Sequence, residues 1–384
     1  MRPRVLVAIT VYNGRSFVPR ALQSLARLDR DVADIDVLVL DDLSPEPGWS
    51  QELGTLCKQL GFLHYLTPRN LGIPRNVSLG LLAAVEGGYD HVIISNSDVI
   101  YSRNAVSQLV RAANTDPKIG SVTSWSTNVS VYSLPNADPD AHLANQDRVD
   151  WVGEVLASTF QHRVLDIPAG ISFAMLIPTR VVRDVGVMDP VFGRGYCEET
   201  DWSLRSLAAG YRLTLGMGAF VYHEGGGSTV AAGLLGSGHT TVPKNERIID
   251  MRYPEFRNQV GQFLATGNLD RGWAKANAAL IANAASTLGY SVTVGWLPQA
   301  IDLSRPHVHV TPDPSSLRAV ASFAGFQREL PLTAATPAAD LVRLLGVPPT
   351  ELNLLDRGPV AEAFHEAFSS SAVVHRRQPY PSRV

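Results

Sequence analysis

The sequence predicts an α/β protein with a mainly parallel central sheet, and three observations support this. Residues 5–11 and 35–40 are continuous aliphatic and β-branched runs, as expected of strands that are buried on both faces. Residues 16–28 and 75–86 have apolar side chains at helical spacing and alternate with the strand-like runs. The connections are short, and strands that alternate with helices in this way pair in parallel.

The first half of the chain repeats this alternation. We expect strands at residues 5–11, 35–40, 63–67 and 91–95, and helices at 16–28, 50–60, 75–86 and 104–114. After residue 120 the pattern weakens, with an apolar run at 171–177, a helix at 199–209 that Gly210 ends, and a strand at 213–223. Residues 133–148 are polar and residues 225–238 are rich in glycine, so we expect loops there.

The last third of the chain has no recognisable motif but contains further periodic segments. We expect helices at 247–264, 271–288, 315–326 and 338–345, strands at 291–297 and 307–311, and a disordered tail at 376–384. A length of 384 residues favours two domains. We place them at residues 1–232, as the α/β domain, and 233–384, as a mixed α/β or helical C-terminal extension.

Composition excludes several classes of function. The formal net charge of −3 argues against bulk binding of nucleic acid or of anionic membranes. Two cysteines, Cys57 and Cys197, are too few for a disulfide framework or a four-thiolate zinc site. The first residues lack the features of a signal peptide, and the charge-free stretch 276–301 is too polar to span a membrane. We therefore expect a cytoplasmic protein.

The candidate site lies where the predicted strands end, because parallel sheets bind ligands beyond the carboxyl ends of their strands. Polar residues follow the first, second and fourth strands, as Thr10–Asn13, Asp41–Ser44 and Asn96–Asp98. Neither a dinucleotide-binding glycine motif nor a P-loop is present. Since these residues are mostly carboxylates and amides, the charge of a bound phosphate must be met by a metal ion or by arginine.

Six ordered motifs resemble the family 2 glycosyltransferases of the GT-A fold, over roughly residues 4–230. VAITVYNG is similar to the opening strand of that family, VLVLDDLS to its nucleotide-binding motif, and NLGIPRNVSLG to its Asn-x-Gly…Arg-Asn segment. IISNSDV lies where the family has its metal-binding Asp-x-Asp motif. IPAGISFAMLIPTRVVRDVGVMDPVFGRGYCEETDWSLRSLAAGYRL resembles the acceptor half, and VYHEGGGST the closing histidine motif.

The resemblance implies a nucleotide-sugar donor and a divalent metal ion. It implies a donor-nucleotide site at Thr10, Tyr12, Asp42, Arg75 and Asn96, where Tyr12 packs against the base and Asp42 accepts the N–H of a uracil or thymine ring. It also implies that Asp98 and His223 bind Mn²⁺ or Mg²⁺, which prefer oxygen ligands, with Mn²⁺ also accepting imidazole. Asn96 departs from the family, which usually has a carboxylate there, and so lowers the negative charge of the site.

The general base implied by the resemblance is Glu199, the second acid of a pair at the start of a helix. We expect the helix N-terminus to stabilise its carboxylate as the anion. Glu198 is expected to complement the helix dipole. Asp201 and Arg205 are four residues apart and should form a supporting ion pair.

The resulting hypothesis is an inverting, metal-dependent glycosyltransferase that uses a UDP- or TDP-linked sugar. The acceptor is a saccharide, a small molecule or a lipid-linked compound; the protein binds no nucleic acid and can form a homo-oligomer. Two alternatives stay open. One is a catalytically silent nucleotide- or sugar-binding protein, which the change at Asn96 motivates, and the other is a sugar-nucleotide nucleotidyltransferase.

Overall fold

The computed structural model describes residues 2–129, 131–134, 145–225, 242–295, 304–312 and 317–376. They divide into two compact units, the first ending at Asp270 and the second beginning at Arg271. Most of the predicted loops at 133–148 and 225–238, and residues 377–384 of the predicted tail, lie outside the described residues. None of the helices in the described ranges is both long enough and apolar enough to cross a membrane.

The first unit is built on one mixed sheet whose order is β3-β2-β1-β4-β8-β6-β9-β5, with β7 paired to β9. Strands β1, β2, β3, β4, β6 and β9 run in one direction, and β5, β7 and β8 run in the other. The mainly parallel sheet predicted from the sequence is therefore confirmed. The strands are β1 Arg4–Val11, β2 Asp34–Asp41, β3 Leu63–Leu66, β4 His91–Ser95, β5 Val99–Tyr101, β6 Ile119–Trp125, β7 Val164–Asp166, β8 Ala174–Pro178 and β9 Arg212–His223.

Helices cover both faces of this sheet because its strands are apolar on both sides. Along β1, Val5, Val7 and Ile9 face one core, whereas Leu6 and Ala8 face the other. The first core is closed by α1, α2 and α4, and the second by α3, α6 and α7. The helices of this unit are α1 Val18–Ala26, α2 Trp49–Leu60, α3 Ile73–Glu86, α4 Ala105–Ala113, α5 Gln146–Phe160, α6 Thr179–Val185, α7 Glu198–Ala208, α8 Val242–Arg252 and α9 Phe256–Ala265.

The structure differs from the sequence-based prediction at several places in this unit. Residues 146–148, predicted as loop, begin helix α5, whose first turn is capped by the side chain of Asn145. Strand β6 was not predicted, because its buried serines and threonine break the apolar run. The single helix expected at 247–264 is two helices, since Pro254 lacks an N–H and constrains the residue before it.

The second unit is a mixed α/β domain, with a six-stranded sheet in the order β13-β12-β11-β10-β14-β15. The contacts β10–β11, β10–β14 and β14–β15 are parallel, and β11–β12 and β12–β13 are antiparallel. Its elements are α10 Asn268–Leu288, β10 Ser291–Val294, β11 His307–Pro312, β12 Leu317–Phe323, β13 Phe326–Glu329, α11 Pro337–Leu345, β14 Glu351–Leu354, α12 Pro359–Phe368 and β15 Val373–Arg376.

The helix predicted at 315–326 is wrong, because the described part of this segment forms a β-hairpin. Ala319, Ala321 and Phe323 are buried and alternate with less buried residues, which is the two-residue period of a strand. Ala324 and Gly325 connect the two strands with φ values of 49° and 81°. A two-residue turn with positive φ at both positions matches the twist of an antiparallel pair.

The unit boundary also differs from the expected division between residues 232 and 233. It falls between Asp270 and Arg271, so helices α8 and α9 belong to the first unit. The physical reason is local: Asn245 and Arg252 of α8 bind groups on either side of the start of α7. The second unit therefore begins later in the chain than the expected residue 233.

Candidate active site

A cleft with an empty volume of about 540 Å³ lies at the carboxyl ends of β1, β2 and β4. Thr10, Tyr12, Asp42 and Asn96, all predicted from the sequence to bind the donor nucleotide, line it. The other residues that line the cleft are Val11, Asn70, Gly72, Ile73, Asn76 and Arg194. The structure therefore brings four of the five predicted nucleotide-binding residues together.

The loops after β1 and β2 are tied to each other beneath this cleft. The Ser44 hydroxyl donates to Asp41 Oδ1 at 2.7 Å and accepts the backbone N–H of Asn13 at 2.8 Å. Asn13 and Leu43 have φ values of 59° and 53°, so both loops turn sharply where the strands end. This arrangement fixes Tyr12 and Asp42 relative to each other.

Asp42 is 4 % exposed, and its carboxylate holds the segment that leads into α3. Oδ1 accepts the N–H of Leu71 at 2.7 Å, and Oδ2 accepts the N–H of Gly72 at 2.9 Å. The Thr67 hydroxyl lies 3.2 Å from Oδ1 but nearer to the Arg69 carbonyl, at 2.8 Å. A carboxylate has about four acceptor positions. The two backbone N–H groups occupy two of them, so Asp42 retains the capacity to accept a further N–H from a ligand.

Arg75 does not line the cleft. It is exposed in the first turn of α3, whereas its neighbour Asn76 is buried and donates to the Leu40 carbonyl at 3.2 Å. The cationic residue that does line the cleft is Arg194, which the sequence analysis missed. Arg194 lies between two glycines in GRGYCEETD, and this glycine pair is the sequence signal for a sharply turning loop.

Asp98 and His223 lie side by side, because β5 pairs with the end of β9. His223 Nε2 is 3.3 Å from Asp98 Oδ1 and 3.2 Å from Asn96 Nδ2. His223 Nδ1 is 2.9 Å from the Asn128 carbonyl oxygen, and since a carbonyl only accepts, this nitrogen carries a proton. In the neutral ring Nε2 is then unprotonated and can bind a metal ion.

The electrostatics of this pair favour a positive charge between the two side chains. Burial lowers the pKa of His223, but the hydrogen bond and charge of Asp98 raise it further, so the net effect is upward. Two ligands in neighbouring corners of an octahedral Mg²⁺ shell, each about 2.1 Å from the metal, lie about 3.0 Å apart. The separation of 3.3 Å between Asp98 Oδ1 and His223 Nε2 is compatible with such an ion.

The protein offers few further metal ligands here. Within the described ranges, no group of three or more His, Cys, Asp or Glu side chains is arranged to hold a metal ion. The family that the motifs resemble usually has a carboxylate at the position of Asn96. Here the Asn96 side chain donates an amide N–H to His223 instead. A cation at Asp98 and His223 would take its remaining ligands from phosphate oxygens and water.

The acidic pair begins helix α7, and its environment is less polar than expected. Glu198 is 3 % exposed, and the Oε2 atoms of Glu198 and Glu199 are buried without a hydrogen bond from the described residues. Burial raises the pKa of Glu199, and burial together with the charge of Glu199 raises that of Glu198. The expectation that the helix N-terminus keeps the Glu199 pKa low is wrong, because desolvation outweighs the helix dipole.

Asp201 and Arg205 form the predicted ion pair, with Arg205 Nε 2.9 Å from Asp201 Oδ2. Asp201 is fully buried and also accepts bonds from Arg252 at 2.8 Å and from the Tyr253 hydroxyl at 2.9 Å. Arg205 in turn donates to the carbonyls of Val185 and Val187. Both oxygens of this buried carboxylate are engaged by Arg205, Arg252 and Tyr253, so Asp201 supports the helix rather than the chemistry.

The loop at residues 193–197 connects the cleft to the acidic pair. Tyr196 and Cys197 both have φ of 73°, a conformation that costs non-glycine residues energy and needs support. That support comes from Asn245 of α8, which is 2 % exposed. Its Nδ2 donates to the carbonyls of Phe192 at 3.0 Å, Gly195 at 2.7 Å and Tyr196 at 2.9 Å.

The same loop is in backbone contact with the donor side of the cleft. The Ile73 N–H donates to the Arg194 carbonyl at 3.2 Å. Gly72 approaches so closely that a Cβ atom placed on it would lie 2.5 Å from the Gly193 carbonyl oxygen. One short segment therefore joins the wall of the cleft to the predicted base.

Comparisons with known proteins agree with this arrangement. Residues 6–160 match the family model "Glycosyl transferase family 2". An undecaprenyl-phosphate mannosyltransferase from Micrococcus luteus is 25 % identical over 245 residues, which cover 63 % of this chain and 93 % of that protein.

Two solved structures are also similar to parts of this chain, at low sequence identity. A crystal structure of GalNAc-T7 with UDP, GalNAc and Mn²⁺ is 18 % identical with a TM-score of 0.48, and the match covers 67 % of this chain and 50 % of that one. The mannosyltransferase PcManGT from Pyrobaculum calidifontis, in complex with GDP-Man and Mn²⁺, is 16 % identical with a TM-score of 0.43, covering 78 % and 77 %. This chain thus spans half the length of the GalNAc-T7 chain.

The family match covers the strands and loops that build the cleft, and it extends from β1 through α5. It favours the glycosyltransferase hypothesis over a nucleotidyltransferase or a silent binding protein. With the mainly parallel sheet and the polar strand ends described above, the chain is a glycosyltransferase of the GT-A fold whose residues 6–160 match glycosyltransferase family 2.

Proposed function

We propose that this glycosyltransferase moves a sugar from a UDP- or TDP-linked donor to an acceptor oxygen, with inversion at the anomeric carbon. The observation that carries the proposal is the cleft that Tyr12, Asp42 and Asn96 line, with the Asp98–His223 pair in contact with Asn96. Asp42 can accept the imide N–H of uracil or thymine at a remaining acceptor position, and Tyr12 can pack against the ring. Thr10 completes this set, while Arg75 lies outside it.

The proposed reaction is a single displacement. An acceptor oxygen attacks the anomeric carbon, and the bond from that carbon to the diphosphate breaks with its electron pair leaving on the nucleoside diphosphate. Glu199 takes the proton that a hydroxyl acceptor loses, and its raised pKa makes it a stronger base than a carboxylate in water. When bound at Asp98 and His223, Mn²⁺ or Mg²⁺ would act as a Lewis acid on the leaving group.

The acceptor class determines how much the base matters. The name of the Micrococcus luteus relative indicates a lipid phosphate as its acceptor. A phosphate monoester has its second pKa near 6, so its oxygen is largely ionised at neutral pH and needs no general base. A saccharide or other hydroxyl acceptor must lose a proton, so the effect of changing Glu199 distinguishes these acceptors.

A thermal-shift screen tests the donor and the metal together. UDP, TDP and GDP, with and without Mn²⁺, are compared on the wild type and on Asp98→Ala. We expect UDP or TDP with Mn²⁺ to raise the melting temperature, because a ligand at 100 times its Kd stabilises by about 2.7 kcal/mol. Asp98→Ala should fold but lose both the Mn²⁺-dependent part of the shift and transfer activity.

Two results would contradict parts of this proposal. Full transfer activity in EDTA, or in Asp98→Ala, would exclude the metal role of Asp98 and His223. Stabilisation by GDP but by neither UDP nor TDP would mean that Asp42 reads a different base.

A further inference from the structure

The cleft needs positive charge beyond the metal site. Asp42 lines it, and Asp98 contacts His223, which in turn contacts Asn96 of the lining, so one carboxylate lies in the cleft and a second lies beside it. Among the residues that line the cleft, Arg194 is the one with a cationic side chain. A diphosphate placed among carboxylates without a cation would be strongly disfavoured.

Hydrogen bonds hold the backbone at Arg194, whereas its side chain makes no bond to the described residues. The Arg194 carbonyl accepts the N–H of Ile73, and Asn245 donates to the carbonyl of Gly195 one residue later. The Arg194 side chain is exposed and has no ion pair or hydrogen bond to the described residues. Arg15, which lines a second cavity beside the β1–α1 loop, differs because it pairs with Glu46 and Glu52.

We propose that the Arg194 guanidinium binds the diphosphate of the nucleotide sugar. The inference rests on the proposed function, since it needs a nucleoside diphosphate in the cleft. The planar guanidinium fork suits bidentate contact with phosphate oxygens. Because Asn96 removes one negative charge from the usual metal motif, the metal is held more weakly, and Arg194 carries a larger share of phosphate binding.

The position of Arg194 in the chain gives this contact a second consequence. Three residues separate it from Glu198, and the loop between them has its conformation fixed by Asn245. A diphosphate held by Arg194 is thus placed relative to the acidic pair by a short, supported stretch of backbone. Donor recognition and placement of the base depend on one loop.

Titration calorimetry with paired ligands tests the contact directly. UDP, TDP and GDP are compared with uridine, thymidine and guanosine on the wild type, Arg194→Ala, Arg194→Lys and the control Arg183→Ala. Arg183 is an exposed arginine of α6 that lines a separate cavity near the amino end of β4. We expect Arg194→Ala to weaken binding of the diphosphate roughly 10- to 100-fold and to leave binding of the nucleoside unchanged. Arg194→Lys should restore part of the lost affinity for the diphosphate.

The possible outcomes distinguish failure of the Arg194 contact from failure of the proposed function. Equal loss for nucleoside and diphosphate, or no loss for either, would overturn the Arg194 contact while leaving the donor class intact. Failure of the wild type to bind any of the three diphosphates would overturn the proposed function and this inference with it. Circular dichroism on each variant shows that the fold is retained, and the loss in Arg194→Ala should persist in EDTA.

Discussion

Glu199 is the residue on which the proposed chemistry depends most directly. Glu199→Gln keeps the size and the hydrogen-bonding atoms of the side chain but cannot accept a proton. With a hydroxyl acceptor we expect kcat to fall by about 10²- to 10⁴-fold, while the affinity for the donor nucleotide stays unchanged. Because burial raises the pKa of Glu199, wild-type kcat should fall as the pH decreases through that raised value. Steady-state kinetics across pH measure both effects, and unchanged kcat would indicate a phosphate acceptor or another base.

Glu198 gives a prediction about stability rather than turnover. Its raised pKa means that the folded protein keeps this proton at pH values where the unfolded chain, with a Glu pKa of about 4.3, has lost it. The unfolded state then binds fewer protons, so the free energy of unfolding decreases as the pH rises above that value. Glu198→Gln cannot ionise, and we expect it to melt at a higher temperature than the wild type at pH 8. The difference should disappear near pH 4, and a variant that is less stable at pH 8 would contradict this.

At the scale of elements, the contact between the start of α3 and the loop 193–197 determines the width of the cleft. Gly72 has φ of 79° and ψ of 160°, a region that is essentially restricted to glycine, and it touches the Gly193 carbonyl. Gly61, at the end of α2, also has positive φ, 72°, but nothing lies within 4 Å of a Cβ placed there. Comparing the same substitution at the two glycines therefore separates the cost of backbone strain from the cost of steric overlap.

We expect Gly61→Ala to lower the free energy of unfolding by about 1–2 kcal/mol. Gly72→Ala should cost about 1–3 kcal/mol more, because the methyl group forces the loop away from α3. It should also weaken donor binding, since the Gly72 N–H holds Asp42. Urea unfolding measures the loss of stability, and nucleotide titration measures the loss of donor binding. Equal losses of unfolding free energy in the two variants would show that the loop moves away from α3 without an energetic cost.

Across the whole molecule, the sequence predicted the elements of the first half of the chain more completely than those of the second half. Strands β1, β2 and β4 are buried on both faces, so their apolar runs identify them directly. Strand β12 is short and alternates with polar residues, and at that length alanine-rich alternation is easily mistaken for a helix. Its hairpin turn, Ala-Gly, also lacks the Asn-Gly or Asp-Gly signal typical of such turns.

The residues of the candidate site also differ in how well the sequence predicts their positions. Residues directly after a strand, such as Tyr12, Asp42 and Asn96, lie in the cleft as expected, because the sheet fixes the ends of its strands. Residue type alone did not show which of Arg75 and Arg194 lines the cleft. The direction of a helical side chain depends on its register in the helix, and the direction of a loop side chain depends on the backbone conformation of the loop. The pKa of Glu199 depends on burial, which the local sequence does not show, and the local helix dipole alone gave the wrong direction.

The three carbonyl bonds from Asn245 have a consequence for the order of events during synthesis. The loop they hold is complete at Cys197, but the amide that supports its left-handed residues is 48 positions later (245 − 197 = 48). Ribosomes add about 5–20 residues per second, so several seconds pass between translation of the loop and translation of its support. During that interval the nascent chain already contains the strand ends that form the nucleotide cleft. A growing chain would thus have these strand ends several seconds before the loop that carries Arg194 and leads to Glu199 gains its support, so complete donor binding and transfer would both await the synthesis of Asn245.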